Sequence, residues 1–521
     1  MAPPRRSLAC GVLLAAACGV CLAAAKNDLT NPGFESVRGG KVHGWSTPSY
    51  WSGAIEPVAD KGAAHGGRRC ARLTSALSRK KHWGRALTYV RTKLFVGRRL
   101  RYSMWVRGKG ELLLGYIQYV PPEVRKPHYA YVYQEQPTAL TEQWQQVVFE
   151  FALADPRTRR IAPIVEIRGE GSVAWLDDGA LTSAAQPGFE LRVEPHHAMV
   201  PVGGRIDITA RVLRKGTPLT SGGLLVLTPT DKGEPAISKL SIGKGGAATW
   251  SFQASKEPGL HAVTFSHPDT GLGEPVTIDV TDAATCGALE QAARKVRLPT
   301  PAHLLFIGDS LTDFHRGHNY VDKVGFWLWK TYGAKATVRN AGVGGDFISR
   351  VWQRLNRDPK SYRLAMYDDL YSPKPTHVFF FLGHNDSKLS SRSGYKDPCV
   401  AIDTFEKEYR LAIRKIQKDT GARIIVLSAS SSVYEITKAT SDKRLAAGRA
   451  NNLFGKPEAL EQFNAVARRV AAECGADYLD VYEPTRRHPD KPSLFMPDGV
   501  HVNEAGNRLL ALEILKHLAG R

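Results

Sequence analysis

The chain has 521 residues, of which 23% are charged and 43% hydrophobic, with 48 Gly and 31 Pro. At roughly 100–200 residues per domain this predicts about three globular domains, and it excludes a disordered, collagen-like or disulfide-dense chain. The formal net charge of +21 favours acidic partners or polyanionic substrates but indicates no particular chemistry.

The N-terminus has the pattern of an export signal. Arg5 and Arg6 precede an apolar run from Leu8 to Ala25, which ends in an A-x-A site before Lys26. Residues 1–25 are therefore predicted to be a cleaved signal peptide. The mature protein is then secreted, periplasmic or held at the cell surface, without stable membrane insertion. An uncleaved anchor, a lipoprotein beginning at Cys18 and a twin-arginine signal remain as alternatives.

Four cysteines remain after that cleavage. Their spacing is too wide for a compact zinc site, and four cysteines allow three complete pairings. In an exported protein a disulfide among the last three is plausible, and buried free thiols are an equal alternative. The four are Cys70, Cys286, Cys399 and Cys474.

The mature chain divides into two β segments and one α/β segment. Residues 26–185 show short runs rich in β-branched and aromatic residues, which predict an all-β sandwich. Residues 186–284 have the size of an immunoglobulin-like module, and Thr281–Pro301 is expected to be a linker with a short helix. In residues 285–521 strands alternate with helices, which predicts a parallel sheet covered by helices on both faces. The strand candidates there are His303–Ile307, His377–Leu382, Arg423–Ala429 and Asp477–Val481, and the helix candidates are Ala401–Lys418, Pro457–Cys474 and Asn503–Leu518.

Polar residues follow the predicted strands of the last segment. Gly308-Asp309-Ser310-Leu311 comes directly after a buried strand, where a hydroxyl is exposed at the start of a helix. A plain helix N-cap would favour the same residue. Asn340–Asp346 is a glycine-rich turn, and Gly383-His384-Asn385-Asp386 ends the next strand; either alone is a weak signal.

A fourth block precedes the last helix. Asp498 and His501 are three residues apart, so the imidazole Nδ1–H can donate to the carboxylate and leave Nε2 free as a base. A surface loop pair is the alternative for any single D-x-x-H.

Together, in this order, the four blocks resemble those of the SGNH hydrolase superfamily, also called GDSL esterases. The resemblance covers about residues 300–521 and implies an α/β three-layer, flavodoxin-like domain. It implies that Ser310 is the nucleophile, His501 the base and Asp498 its orienting acid. The oxyanion donors would be the N–H groups of Ser310 and Gly345 and the side-chain amide of Asn385. No cofactor is expected for catalysis, and Asp309 and Asp386 are expected to hold loops.

Such a site performs acyl transfer. A serine needs a neighbouring base to act as a nucleophile, and the tetrahedral intermediate needs donors aimed at its oxyanion. The fold does not determine the ester, because it hosts lipases, thioesterases, acyltransferases and deacetylases.

Three features favour a glycan. His384 occupies the variable position of the G-x-N-D block, which is similar to rhamnogalacturonan-acetylesterase-like members of the superfamily. The basic net charge of the chain suits an acidic polysaccharide. The N-terminal region also resembles a galactose-binding-like carbohydrate-binding module. The segments that carry that resemblance are Asn31–Glu35, Gly44-Trp45, Arg101–Val106, Gln143–Gln145 and Val173–Asp178.

Two further predictions follow for that module. The resemblance implies a structural calcium with Glu35 and Asp177 as candidate ligands; solvated or capped carboxylates are the alternative. Five tyrosines could form a stacking platform for sugar rings, or pack within the sheet: Tyr116, Tyr119, Tyr129, Tyr131 and Tyr133.

The sequence thus predicts a secreted serine esterase that removes O-acetyl groups from a polysaccharide. The alternatives are a lipase or short-chain acyl esterase of the same fold, and a carbohydrate-binding protein with a degenerate hydrolase domain. The expected partner is an O-acylated glycan, and nucleic acid is not expected, since no such motif stands out.

Overall fold

A computed structural model describes residues 27–48, 51–60, 62–78, 81–91, 98–120, 129–153, 158, 160–229 and 236–520. The predicted signal peptide, residues 1–25, lies outside them. The chain forms two compact units, the first reaching Ala184 and the second beginning at Ala185.

The first unit is built from β-strands. Ten of its strands form one sheet and the first two form a separate ribbon. The strands are β1 Val37–Arg38, β2 Lys41–Val42, β3 Ala54–Val58, β4 Cys70–Thr74, β5 Ala76–Ser78, β6 Lys81–Leu87, β7 Val90–Arg91, β8 Arg99–Tyr119, β9 Tyr129–Tyr133, β10 Thr138–Ala139, β11 Gln145–Ala152 and β12 Arg160–Ser183.

Two strands are much longer than the sequence predicts. β8 has 21 residues and β12 has 24, and they pair antiparallel along most of their length, with register shifts after Arg168 and Asp177. β8 continues through Gly108 and Gly110, which are positive-φ positions inside the strand.

The second unit begins with two sheets. One joins β13, β15, β16 and β19, and the other has the order β14-β21-β20-β17-β18. The strands are β13 Phe189–Glu194, β14 His197–Pro201, β15 Arg205–Arg214, β16 Thr217–Pro218, β17 Gly223–Thr228, β18 Ala236–Ser241, β19 Ala248–Gln253, β20 Gly259–His267 and β21 Leu272–Thr281.

The segment Thr281–Pro301, predicted to be a linker with a short helix, contains a helix that packs into the core. Helix α1, Ala283–Lys295, is capped by the Asp282 side chain and buries Cys286, Leu289, Ala292 and Ala293. These residues join one hydrophobic core with both preceding sheets and the α/β segment that follows.

The rest of the chain is an α/β domain with a parallel five-stranded sheet. The sheet order is β23-β22-β24-β26-β28. The first strand, β22, is an inner strand, β23 forms one edge, and β24, β26 and β28 follow in order on the other side of β22. In such a sheet ligands bind at the carboxyl ends of the strands around the first strand. The five strands are β22 Ala302–Gly308, β23 Ala336–Asn340, β24 His377–Phe381, β26 Arg423–Leu427 and β28 Asp477–Leu479. Two further strands, β25 Leu389–Ser390 and β27 Asn452–Leu453, form a separate antiparallel pair.

Helices surround this sheet, and short 3-10 turns at Gly333–Lys335, Leu364–Tyr367, Ser391–Ser393 and Lys491–Leu494 complete the chain. The predicted α/β architecture of this segment is confirmed, with element ends shifted by one or two residues. The α-helices are α2 Ser310–Asp313, α3 Tyr320–Tyr332, α4 Ile348–Leu355, α5 His384–Ser387, α6 Ile402–Thr420, α7 Tyr434–Ala446, α8 Pro457–Glu473, α9 Tyr482–Arg486 and α10 Glu504–Ala519.

The four cysteines are free thiols in the structure. Cys70 and Cys286 are buried and Cys399 is exposed. Burial raises the pKa of each of the two buried thiols to about 11, so both are unreactive at neutral pH.

No helix within the described ranges is long and apolar enough to cross a bilayer.

Candidate active site

Ser310 lies at the turn between β22 and α2. It is the first residue of α2, and Asp309 caps the helix by accepting a hydrogen bond from the Leu311 N–H (2.9 Å). Gly308 is required before it, because a Cβ there would lie 2.1 Å from Thr312 Oγ1 and 2.9 Å from the Phe381 carbonyl. The serine is half-buried, so the turn presents it at the carboxyl end of the central strand.

The glycine-rich loop after β23 packs against this turn. The Val343 N–H donates to the Gly308 carbonyl (2.9 Å), and the Gly344 N–H donates to Asp313 Oδ2 (2.9 Å). Gly345 follows with φ +82°, a conformation that favours glycine. The loop therefore holds the backbone at Gly345 beside the serine turn.

The block after β24 reaches the same turn through Asn385. Its Nδ2 donates to Asp309 Oδ2 (3.3 Å), and the amide is buried. Asp386 accepts a hydrogen bond from the Ile348 N–H (2.8 Å), so both Asp309 and Asp386 anchor loops, as expected.

Burial sets the protonation of the acids and the histidine of this region. It raises the pKa of Asp309 to about 6 and that of Asp386 to about 7. It lowers the pKa of His384 to about 4, so this histidine is neutral at pH 7 and contributes no charge to the site.

Asp498 and His501 form a hydrogen-bonded pair before α10. The distance between His501 Nδ1 and Asp498 Oδ2 is 2.6 Å, and Asp498 Oδ1 accepts the N–H groups of Val500 and His501. Burial alone would raise the pKa of Asp498, but these hydrogen bonds lower it to about 2. The carboxylate is therefore ionised and holds the imidazole with Nδ1 as donor.

The imidazole faces the serine helix. Its ring centroid lies 4.9 Å from that of Phe314, whose N–H donates to the Ser310 carbonyl. Leu311, Phe314 and His501 line a small crevice. His501 Nε2 is buried and has no hydrogen-bond partner among the described residues, Ser310 included. The structure thus places His501 against the residues that follow Ser310. It shows no hydrogen bond between Ser310 and His501, and many unliganded enzymes form this bond only with substrate.

The two candidate calcium ligands, Glu35 and Asp177, both accept hydrogen bonds from the backbone of residues 65–69 in the first unit. Asp177 accepts the N–H groups of His65, Gly66 and Asp178, and Glu35 Oε1 accepts those of Arg68 and Arg69. Three N–H donors on Asp177 leave little lone-pair capacity for a cation. These contacts fit loop-anchoring carboxylates better than a calcium site, and the calcium stays an untested prediction.

Two cations at the site were not singled out from the sequence. Arg350 Nη1 donates to the Gly345 carbonyl (3.0 Å), and Lys388 Nζ donates to Asn385 Oδ1 (3.2 Å). Each touches a residue expected to supply an oxyanion donor. Arg350 lies five residues after Gly345 and Lys388 lies three residues after Asn385. This closeness in sequence was the only signal that could have placed the two cations at the site.

The predicted tyrosine platform is divided between two faces of the sheet. Tyr116 is buried and stacks on Phe151 (4.3 Å), so it is part of the packing. The register of β8 and β9 pairs Tyr119 with Tyr129 and places Gly115 opposite Tyr133. The four odd-numbered tyrosines therefore share the other face.

Comparisons with known proteins agree with this geometry. Residues 306–509 match the GDSL-like lipase/acylhydrolase family. A 231-residue stretch is 26% identical to the isoamyl acetate-hydrolyzing esterase 1 homolog of Mus musculus, over 43% of this chain and 84% of that protein.

Two solved structures are similar to parts of this chain. A lipase/acylhydrolase from Enterococcus faecalis is 21% identical, with 42% of this chain and 96% of that chain covered and a TM-score of 0.31. The CBM22-1 xylan-binding domain of Paenibacillus barcinonensis Xyn10C is 14% identical, with 31% of this chain and 97% of that domain covered and a TM-score of 0.25.

The serine turn, the glycine loop, the buried amide and the His–Asp pair stand at one sheet edge within the matched segment. Residues 306–509 are therefore a GDSL-type hydrolase domain, and the protein is an ester-bond hydrolase.

Proposed function

We propose that this protein is an exported serine esterase that removes O-acetyl groups from a polysaccharide through an acyl-enzyme. His501 takes the proton of Ser310 as the hydroxyl attacks the acetyl carbonyl, and Asp498 stabilises the imidazolium. The N–H groups of Ser310 and Gly345 and the amide of Asn385 hold the oxyanion. The sugar hydroxyl leaves with the proton from His501, and water then releases acetate by the reverse sequence.

The observation that carries the mechanism is the orientation of His501. Its Nδ1 is bonded to an ionised carboxylate, its ring lies against Phe314, and its buried Nε2 has no partner among the described residues. A buried nitrogen without a partner is costly, and this cost is removed when a hydroxyl of enzyme or substrate reaches this nitrogen.

One observation supports acetyl as the acyl group. The mouse relative is named as the homologue of an acetate-ester hydrolase.

The glycan assignment is supported by an aromatic face on the first unit. On the face that carries Tyr131 and Tyr133, Arg85 lies 3.7 Å from the Trp83 ring and 5.2 Å from the Tyr131 ring. Arg85 is held by an ion pair with the buried Glu166, which also accepts a hydrogen bond from Tyr133 (2.8 Å). Tyr131 remains 37% exposed. Fixed, partly exposed rings of this kind stack on sugar rings.

The test of the mechanism uses Ser310→Ala and p-nitrophenyl acetate. The wild-type protein is expected to hydrolyse the acetate faster than a long-chain ester, and Ser310→Ala is expected to lower kcat by more than 10³-fold. Unchanged turnover by Ser310→Ala would refute the proposed nucleophile, and preference for the long chain would indicate a lipase.

The glycan part is tested separately by binding. In the Ser310→Ala background the protein is expected to be retained on an acetylated polysaccharide, and adding Tyr131→Ala is expected to weaken retention about tenfold or more. Ile237→Ala, at an exposed apolar residue of the second unit, is the control. Equal retention of all three proteins would show that the aromatic face does not bind the glycan.

A further inference from the structure

Two cations at the active site have no carboxylate partner. Neighbouring arginines are neutralised: Arg316 pairs with Asp313 (2.7 Å) and Arg354 with Asp346. In the part of the chain that the structure describes, neither Arg350 nor Lys388 has a carboxylate oxygen within 4 Å. Both are half-buried, where an uncompensated charge is disfavoured.

Arg350 is held in a fixed position. It lies in the first turn of α4, and its guanidinium is 4.5 Å from the Phe347 ring and 4.8 Å from the Tyr362 ring. One N–H is used by the Gly345 carbonyl. A guanidinium has five N–H donors in a planar fork, so Arg350 retains donors for an anion. Because the side chain is already held in place, it loses little conformational freedom when the anion binds.

Lys388 contacts the expected oxyanion site through Asn385. Its ammonium donates to Asn385 Oδ1 and lies 5.3 Å from the Phe454 ring. Its charge also lowers the pKa of Asp309, next to the serine, against the larger effect of burial. Two of its three N–H donors have no protein partner among the described residues.

We propose that Arg350 and Lys388 form an anion subsite that binds the carboxylate of a uronic acid residue in the O-acetylated polysaccharide. The inference rests on the proposed function and specifies its substrate class. Each cation is one hydrogen bond from a residue that would hold the oxyanion, so an anion bound there lies close to the acetyl group. Binding a carboxylate supplies the counter-charge that the protein itself does not provide.

The experiment compares two acetylated oligosaccharides of matched length and acetyl content, one of galacturonate and one of neutral xylose. The quantity measured is the ratio of kcat/KM on the anionic substrate to that on the neutral one. For the wild-type protein we expect a ratio of at least ten, which falls as NaCl is raised.

Removal of either cation should reduce this ratio. Arg350→Gln and Lys388→Gln are each expected to lower it about tenfold, since a hydrogen bond to a charged group contributes about that factor or more. Arg350→Lys keeps the charge but loses the fork, and should recover part of the preference. Lys374→Gln is the matched control, because Lys374 is exposed at the opposite, amino edge of β24, and it should leave the ratio and the activity unchanged.

The outcomes separate the two proposals. A wild-type ratio near one, or equal losses on both substrates in the two glutamine variants, would overturn the anion subsite and leave the acetylesterase proposal standing. Hydrolysis of p-nitrophenyl acetate without hydrolysis of either oligosaccharide would overturn the glycan assignment and the subsite together. Melting temperatures identify a variant that fails to fold. If Arg350→Gln or Lys388→Gln fails, the substrate ratio of the other variant tests the anion subsite.

Discussion

At the scale of single residues, Asp386 is the most unusual acid of the hydrolase domain. It is fully buried; Oδ1 accepts the Ile348 N–H, and Oδ2 has no partner among the described residues. Burial raises its pKa from 3.8 to about 7. Because the folded protein then binds this proton more tightly than the unfolded chain, the associated stabilisation is complete below pH 4 and is lost as the pH rises through 7.

Asp386→Asn is expected to remove most of this pH dependence. The amide keeps an oxygen for the Ile348 N–H and cannot ionise. The wild-type free energy of unfolding should fall by up to about 4 kcal/mol between pH 4 and 7, and by much less in the variant. Asp309 contributes in the same direction, since burial raises its pKa to about 6, so a smaller slope persists.

Urea unfolding at several pH values measures this effect, and Asp397→Asn, at an exposed acid, is the control. A variant profile parallel to that of the wild type would mean that Asp386 is ionised in the folded protein throughout this range.

At the scale of elements, a buried ion cluster joins the second β region to the hydrolase fold. Asp279 of β21 is fully buried and accepts hydrogen bonds from Lys323 of α3 (2.7 Å) and Arg508 of α10 (2.9 Å). Lys323 also bonds Glu504 (2.8 Å), which in turn pairs with His318 (2.6 Å). Since α10 begins just after His501, the cluster fixes the helix that follows the loop carrying Asp498 and His501.

Asp279→Asn is expected to destabilise the second unit by about 3–5 kcal/mol, because two buried cations lose their shared anion. Urea unfolding at pH 7 measures the loss. Glu190→Gln breaks the exposed Glu190–Arg192 pair and should cost less than about 1 kcal/mol. A comparable effect of the two substitutions would show that the buried cluster contributes no more than a surface pair.

The cluster also shows what sequence patterns can and cannot predict. Motifs at strand ends located Ser310, Asn385 and the His–Asp pair, because each follows a recognisable buried strand or precedes a helix. Strand β23 was missed, because Ala336–Asn340 is an edge strand with half-exposed polar residues and has no buried run. Asp279, Lys323 and Arg508 are far apart in sequence, and nothing local marks them as partners.

At the scale of the whole molecule, the compact units do not coincide with the predicted domains. The first predicted boundary, near residue 185, coincides with the division between the two compact units. The second, at 284/285, falls inside a unit whose hydrophobic core includes both sheets of the second β region, α1 and the α/β domain. A cut there would expose apolar residues of this core and remove Asp279 from the cluster.

Two truncated proteins test this division. A chain beginning at residue 185 keeps the core and the cluster, and is expected to hydrolyse p-nitrophenyl acetate with kcat/KM within about twofold of the full-length value. A chain beginning at residue 285 is expected to be insoluble or to lack cooperative unfolding, because burial of the shared apolar surface is lost. Circular dichroism melting and ester turnover distinguish the two cases. A stable, active protein from residue 285 would show that the second β region is dispensable for the hydrolase fold.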